Sequence, residues 1–270
     1  MPIFLLLGIC TAAAEDKPAP AYPTMAPADR YRFANPEDEV AFARTAAPPS
    51  ISDHATVLVL GKKGYRTAIE GDNGFVCFVE RSWTAGFDDP VFWDPEIRAP
   101  NCFGAPAVRS VLPQYLKRTE WALAGATKQQ MIERTRAAFA KHQFKMPEAG
   151  SFSFMLSKHG NLGDPAGGGP WLPHVMLFVR HGQAKTWGAG LEGSPILGTE
   201  SSPIDPTVLF IPVRRWSDGT PVPIPSEHRH KWMTAARSCA SASGMAFGPS
   251  HVPRRRGTER ARGAPVDSYA

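Results

Sequence analysis

Two histidines and one aspartate are the side chains in this sequence best placed to do chemistry together. They lie in Lys158-His159-Gly160-Asn161-Leu162-Gly163-Asp164-Pro165-Ala166-Gly167-Gly168-Gly169-Pro170-Trp171-Leu172-Pro173-His174. Two imidazoles and a carboxylate suit a divalent metal such as zinc, or an acid/base pair, so His159, Asp164 and His174 form a candidate metal set for a hydrolase. The spacing matches neither H-x-x-x-H nor H-E-x-x-H. Each residue also has a structural reading. His159 is then an exposed turn residue, Asp164 a turn former before Pro165, His174 a hydrogen-bonded strand start, and Trp171 a cover on the core.

Other chemical motifs fail on spacing. The glycines at 160–163 and 167–169 lack the P-loop Lys-Ser/Thr and the dinucleotide pattern, and no G-x-S-x-G elbow occurs. Asp88, Asp89, Asp94 and Glu96 could pair as glycosidase acids, but beside prolines they read as turn formers. His228-Arg229-His230 is a short tract in a stretch without hydrophobic pattern.

The candidate loop joins two apolar runs, Phe152 to Leu156 and His174 to Val179, which read as neighbouring strands. A third run, Thr207 to Val213, carries Pro212 and suits a sheet edge. Earlier, Thr56–Leu60, Tyr65–Glu70 and Phe75–Val79 are separated by Gly61-Lys62-Lys63-Gly64 and Gly71-Asp72-Asn73-Gly74, the pattern of a three-strand antiparallel meander. Residues 83–106, aromatic and Pro-rich, read as a long ordered loop laid over the core.

Helical signals fill the rest. Asn35, Pro36 and the acids at 37–39 open one helix that runs to about Ala46. Apolar residues at helical spacing cover 107–124, with Pro113 shortening that helix or starting it late. Thr127 and Gln130 form a capping box for a helix reaching about His142, with Met131, Thr135, Ala138 and His142 on one stripe. The sum is an α+β fold, an antiparallel sheet with two or three packing helices.

The ends carry compartment signals. Ile3 to Cys10 is an apolar run followed by Ala12-Ala13-Ala14 and then Glu15, the pattern of a cleavable signal peptide over residues 1–14. Residues 15–34 read as a flexible leader, 35–220 as a single domain, and 221–270 as a disordered basic tail. The expected location is periplasmic or secreted, with no transmembrane segment. In an oxidising compartment Cys77 and Cys102 are the natural disulfide pair, leaving Cys239 as the odd thiol; the alternative is that Cys77 is a buried free thiol.

The net charge of +5 does not imply a nucleic-acid partner. Residues 251–270 hold five arginines against Glu259 and Asp267, a net +3, and the remainder is nearly neutral. No partner or cofactor is otherwise indicated. At 43% hydrophobic and 20% charged residues the chain can build a core.

Gly71-Asp72-Asn73-Gly74-Phe75-Val76-Cys77, Met155-Leu156, Asp164-Pro165, Pro173-His174-Val175-Met176 and Val208 to Val213 resemble a group of exported bacterial proteins. The resemblance spans roughly residues 50–220 and implies no activity. The resulting expectation is an exported, non-enzymatic accessory or binding protein, with a metal-dependent hydrolase using the 158–174 loop as the alternative.

Overall fold

The computed structural model describes residues 22–163, 172–198 and 204–223. Its frame is a seven-stranded mixed sheet in the order β2-β1-β3-β4-β5-β6-β7. The strands are β1 (Thr56–Leu60), β2 (Tyr65–Ile69), β3 (Val76–Glu80), β4 (Ala99–Phe103), β5 (Phe152–Met155), β6 (His174–Val179) and β7 (Thr207–Pro212). The helices are α1 (Pro36–Arg44), α2 (Pro49–Ser52), α3 (Ala105–Ser110), α4 (Leu112–Leu123) and α5 (Lys128–Ala140).

The expected antiparallel meander is corrected at its third strand. β1 and β2 form the hairpin, but β3 lies on the other side of β1 and runs parallel to it. Burial explains the choice. Every residue of β3 is buried, whereas the middle of β2 (Arg66, Thr67 and Ala68) is exposed, so β3 takes the central position and β2 the edge. The return crossing is tight: a Cβ on Gly71 would come within 2.3 Å of backbone atoms of Ala55 and Thr56. Only glycine allows that approach.

The 83–106 stretch is not all loop, because β4 is its last part. Pro100 and Asn101 hid this strand from a propensity reading. The position is tolerated because β5 pairs only with Cys102 and Phe103, which leaves Pro100 clear of a second ladder. Cys77 and Cys102 are direct cross-strand partners in the β3–β4 ladder, and they are disulfide bonded. β5 and β6 are antiparallel neighbours and β7 is the far edge, as their sequences indicate.

Helices cover both faces of the sheet. α1 packs Ala43 against Val57 and Val79, next to a cluster of Ala46, Ala55 and the two cysteines. On the opposite face, α3 and α4 enclose Leu58, Phe78, Phe103, Met155 and Phe178 with Val111 and Leu112. Pro113 acts as expected: the helical stretch breaks at Val111, and α4 restarts with the proline in its first turn. The capping box of α5 is formed, and Met131, Thr135 and Ala138 are buried. His142 leaves that stripe; it lies past the helix end, exposed, with φ 56°.

The leader is corrected as well. Residues 22–34 are packed on the domain, because Tyr31 is fully buried and donates its hydroxyl to the Trp93 carbonyl at 2.6 Å. Residues 1–21, 164–171, 199–203 and 224–270 lie outside the described residues, as do the signal-peptide and Cys239 expectations and all but the first three residues of the expected basic tail. Among the described residues no helix is long and apolar enough to cross a membrane.

Candidate functional site

The two loop histidines are placed differently. His174 starts β6 opposite Met155, is buried against the Phe210 ring, and lies with Nδ1 2.8 Å from the Leu172 carbonyl oxygen. Burial lowers its pKa, which the Leu172 contact partly offsets. His159 is exposed on the turn after β5, with its backbone N–H donating to Ser157 Oγ at 3.2 Å. Asp164 and Trp171 lie outside the described residues. Among the described residues, no group of three or more His, Cys, Asp or Glu side chains is placed to hold a metal ion.

Buried charge is concentrated elsewhere, at the end of β3. Glu80 and Arg81 are adjacent, so the two-residue period of a strand sends them to opposite layers. Arg81 turns to the α1 side and is fully buried. Its Nη2 donates to Glu39 Oε1 at 2.7 Å and its Nε to the Tyr31 carbonyl at 2.6 Å, while Nη1 bonds the Val79 carbonyl. A buried arginine with its partners in place is a structural clamp between leader, helix and sheet.

Glu80 turns to the α4 side. Its Oε1 accepts from Asn101 Nδ2 at 2.6 Å, and its Oε2 lies 3.2 Å from Thr84 Oγ1. Burial pushes Glu80 up from an ordinary value of 4.5 to about 7, against the lowering effect of these two contacts and of the Arg118 charge. Thr84 Oγ1 is also 2.8 Å from the Arg81 carbonyl, to which it donates. A hydroxyl has one hydrogen, so its lone pairs are free to accept from a protonated Glu80.

Thr84 connects this buried acid to a cavity of about 70 Å³ under the 84–86 turn. The polar lining is Thr84, Gln114, Tyr115, Arg118 and Asp205; Val111, Phe178 and Val208 supply apolar walls. Gln114 and Arg118 are four residues apart and therefore share a face of α4. Gln114 Nε2 donates to Asp205 Oδ1 at 2.7 Å, and Arg118 Nη1 lies 3.8 Å from the same oxygen. Arg118 Nη2 donates to the Ala85 carbonyl at 2.7 Å, and the guanidinium stands 4.2 Å from the Phe87 ring centre.

Arg118 is underused. Its side chain is only 5% exposed, yet among the described residues the guanidinium hydrogen bonds only from Nη2, and Nε is buried without a partner. Burial lowers its pKa, with Asp205 acting in the opposite direction. An arginine has five donors, and leaving them unmade in a protein interior is costly. Unspent donors beside an open volume are what a recognition pocket presents before its ligand arrives. Tyr115 is no candidate base, because burial drives its phenol well above its ordinary value.

A second concavity of about 610 Å³ lies between residues 23–28 and the α4–α5 junction, lined by Met25, Trp93, Leu123, Ala126 and Lys128 among others. Sequence reading missed the Arg118 site because its parts come from residues 84, 114–118 and 205, each ordinary in its own segment. The one local signal was Gln114 and Arg118 at helical spacing on the side of α4 that also carries Tyr115 and Ala122.

No protein-family model, curated protein or solved structure matches the chain.

Proposed function

We propose that this protein is an exported binding protein without a catalytic step of its own, and that Arg118 receives a small polar group of its ligand. The observation that carries the reading is the buried Arg118 guanidinium in the lining of a cavity, with Nη1 making no hydrogen bond among the described residues. A volume near 70 Å³ holds a few waters or one end group. It is far below the roughly 300–1,000 Å³ of a site that engulfs a whole ligand, so the body of the ligand would lie outside.

Catalysis is the poorer reading. A general base must reach the proton that it removes, and Glu80 already has Asn101 and Thr84 on its two oxygens and does not line the cavity. The Cys77–Cys102 bond supports a working place outside a reducing compartment.

The test is a titration of isotope-labelled protein with acetamide, acetate, ethylene glycol and methylammonium, followed by NMR. At least one should produce saturable shifts at Ala85, Gly86 and the Gln114 side chain. Gly86→Leu should abolish them with the melting temperature unchanged, since a Cβ at Gly86 meets no heavy atom within 4 Å. If none of the four saturates, the binding reading fails.

A further inference from the structure

The geometry points to a primary carboxamide as the group that enters the Arg118 cavity, an assignment that rests on the binding reading and adds the ligand class to it. Among the polar groups lining the cavity, Arg118 and the protonated Tyr115 hydroxyl are donors, and Asp205 and Gln114 each bring an acceptor oxygen. Arg118 supplies the charged donor, with Nη1 making no hydrogen bond among the described residues and lying 3.8 Å from Asp205 Oδ1. Asp205 Oδ1 already receives Gln114 Nε2, which leaves Asp205 Oδ2 and Gln114 Oε1 without a hydrogen bond among the described residues. A carboxamide carries one acceptor oxygen and two N–H donors on a flat frame. Its oxygen, with two lone pairs, suits Arg118 and the Tyr115 hydroxyl, and its two N–H groups suit the two acceptors.

Charge excludes the nearest alternatives. The guanidinium is already balanced by the Asp205 carboxylate, so the pocket has no net positive charge to reward an anion. A carboxylate would gain Arg118 on one oxygen and set its other oxygen against Asp205 and Gln114 Oε1, with no proton between them. An ammonium or guanidinium ligand would satisfy Asp205 and face Arg118 at close range. The desolvated setting sharpens both penalties, because Asp205 is 12% exposed and Arg118 less. Phe178 and Tyr115 supply walls for a planar group, and Val111 and Val208 complete an apolar surround that would exclude water from the hydrogen bonds.

Matched pairs test the assignment first on the wild-type chain. Propionamide is titrated against propionate and nicotinamide against nicotinate, reading the Ala85 and Gly86 amides, the Gln114 side-chain amide and the Arg118 Nε–H signal. Each amide should bind about tenfold or more tightly than its acid, the scale of one mispaired buried polar contact. Which pair responds tells an aliphatic carrier from an aromatic one. Asp205→Asn should invert the preference, since Arg118 then lacks its counter-charge; that inversion is a ratio within one folded sample, which a loss of stability does not produce. An acid binding the wild-type chain as tightly as its amide, or a glycol saturating where both amides fail, overturns the carboxamide assignment and leaves the binding reading standing. If the amides, the acids, ethylene glycol and methylammonium all leave the signals unmoved, both readings fall.

Discussion

Replacing Glu80 by glutamine should make the protein more stable above neutral pH, although the residue is buried and hydrogen bonded. Burial raises Glu80 from 4.5 to about 7 in the fold, and the unfolded chain restores the ordinary value. Between those two values the folded state holds a proton that the unfolded state has lost, so stability falls as pH rises through that window. It is highest below about 4.5 and reaches its floor above about 7. At about 1.4 kcal/mol per pH unit the loss comes to roughly 3 kcal/mol, an order-of-magnitude figure. The substituted amide keeps the favourable half of the arrangement: its carbonyl can take Asn101 Nδ2, and its NH₂ can donate to Thr84 Oγ1, whose own hydrogen goes to the Arg81 carbonyl. Urea unfolding of wild type and Glu80→Gln at several values between about pH 5 and 9 gives the answer. The two should be close at about pH 5 and separate in favour of the variant through about pH 7 to 8. Parallel curves with the wild type more stable throughout would refute the burial argument and mean that the carboxylate is stabilised by Arg118 more than desolvation opposes it.

Gly71→Ala should cost more than about 2 kcal/mol in urea unfolding, because its Cβ has no room at the β1 crossing. Non-reducing peptide mapping should recover the Cys77–Cys102 linked pair, and the double alanine variant should lose roughly 3 kcal/mol, as closure of a loop of this length predicts. Thr127→Ala removes one side of the α5 capping box and should cost about 1 kcal/mol, read from the same unfolding curves. Protein purified without a His-tag should lack stoichiometric zinc. A full equivalent, lost on His174→Ala, would favour the metal-dependent hydrolase on His159, Asp164 and His174 over the binding protein.

Local chemistry was legible in the sequence wherever neighbours along the chain decide the outcome. Asn35-Pro36 began α1, Thr127 and Gln130 capped α5, Pro113 set the start of α4, and the apolar runs at 152–156, 174–179 and 207–213 became β5, β6 and β7. The cysteine pair was readable too, because only two cysteines lie in the patterned part of the chain. Strand order was not. β3 beside β1 follows from which strand most needs burial on both faces, and β4 follows from the cross-strand partnership of Cys102 with Cys77, so neither is encoded in the turn or the propensity of the segment itself. The same holds for the site. Glu80 ends β3 and Thr84 follows it, Arg118 sits on α4 and Asp205 precedes β7, and each is ordinary beside its sequence neighbours. Burial alone raises the Glu80 pKa and leaves Arg118 short of partners, and burial is a property of the packed sheet and helices, not of any stretch of residues.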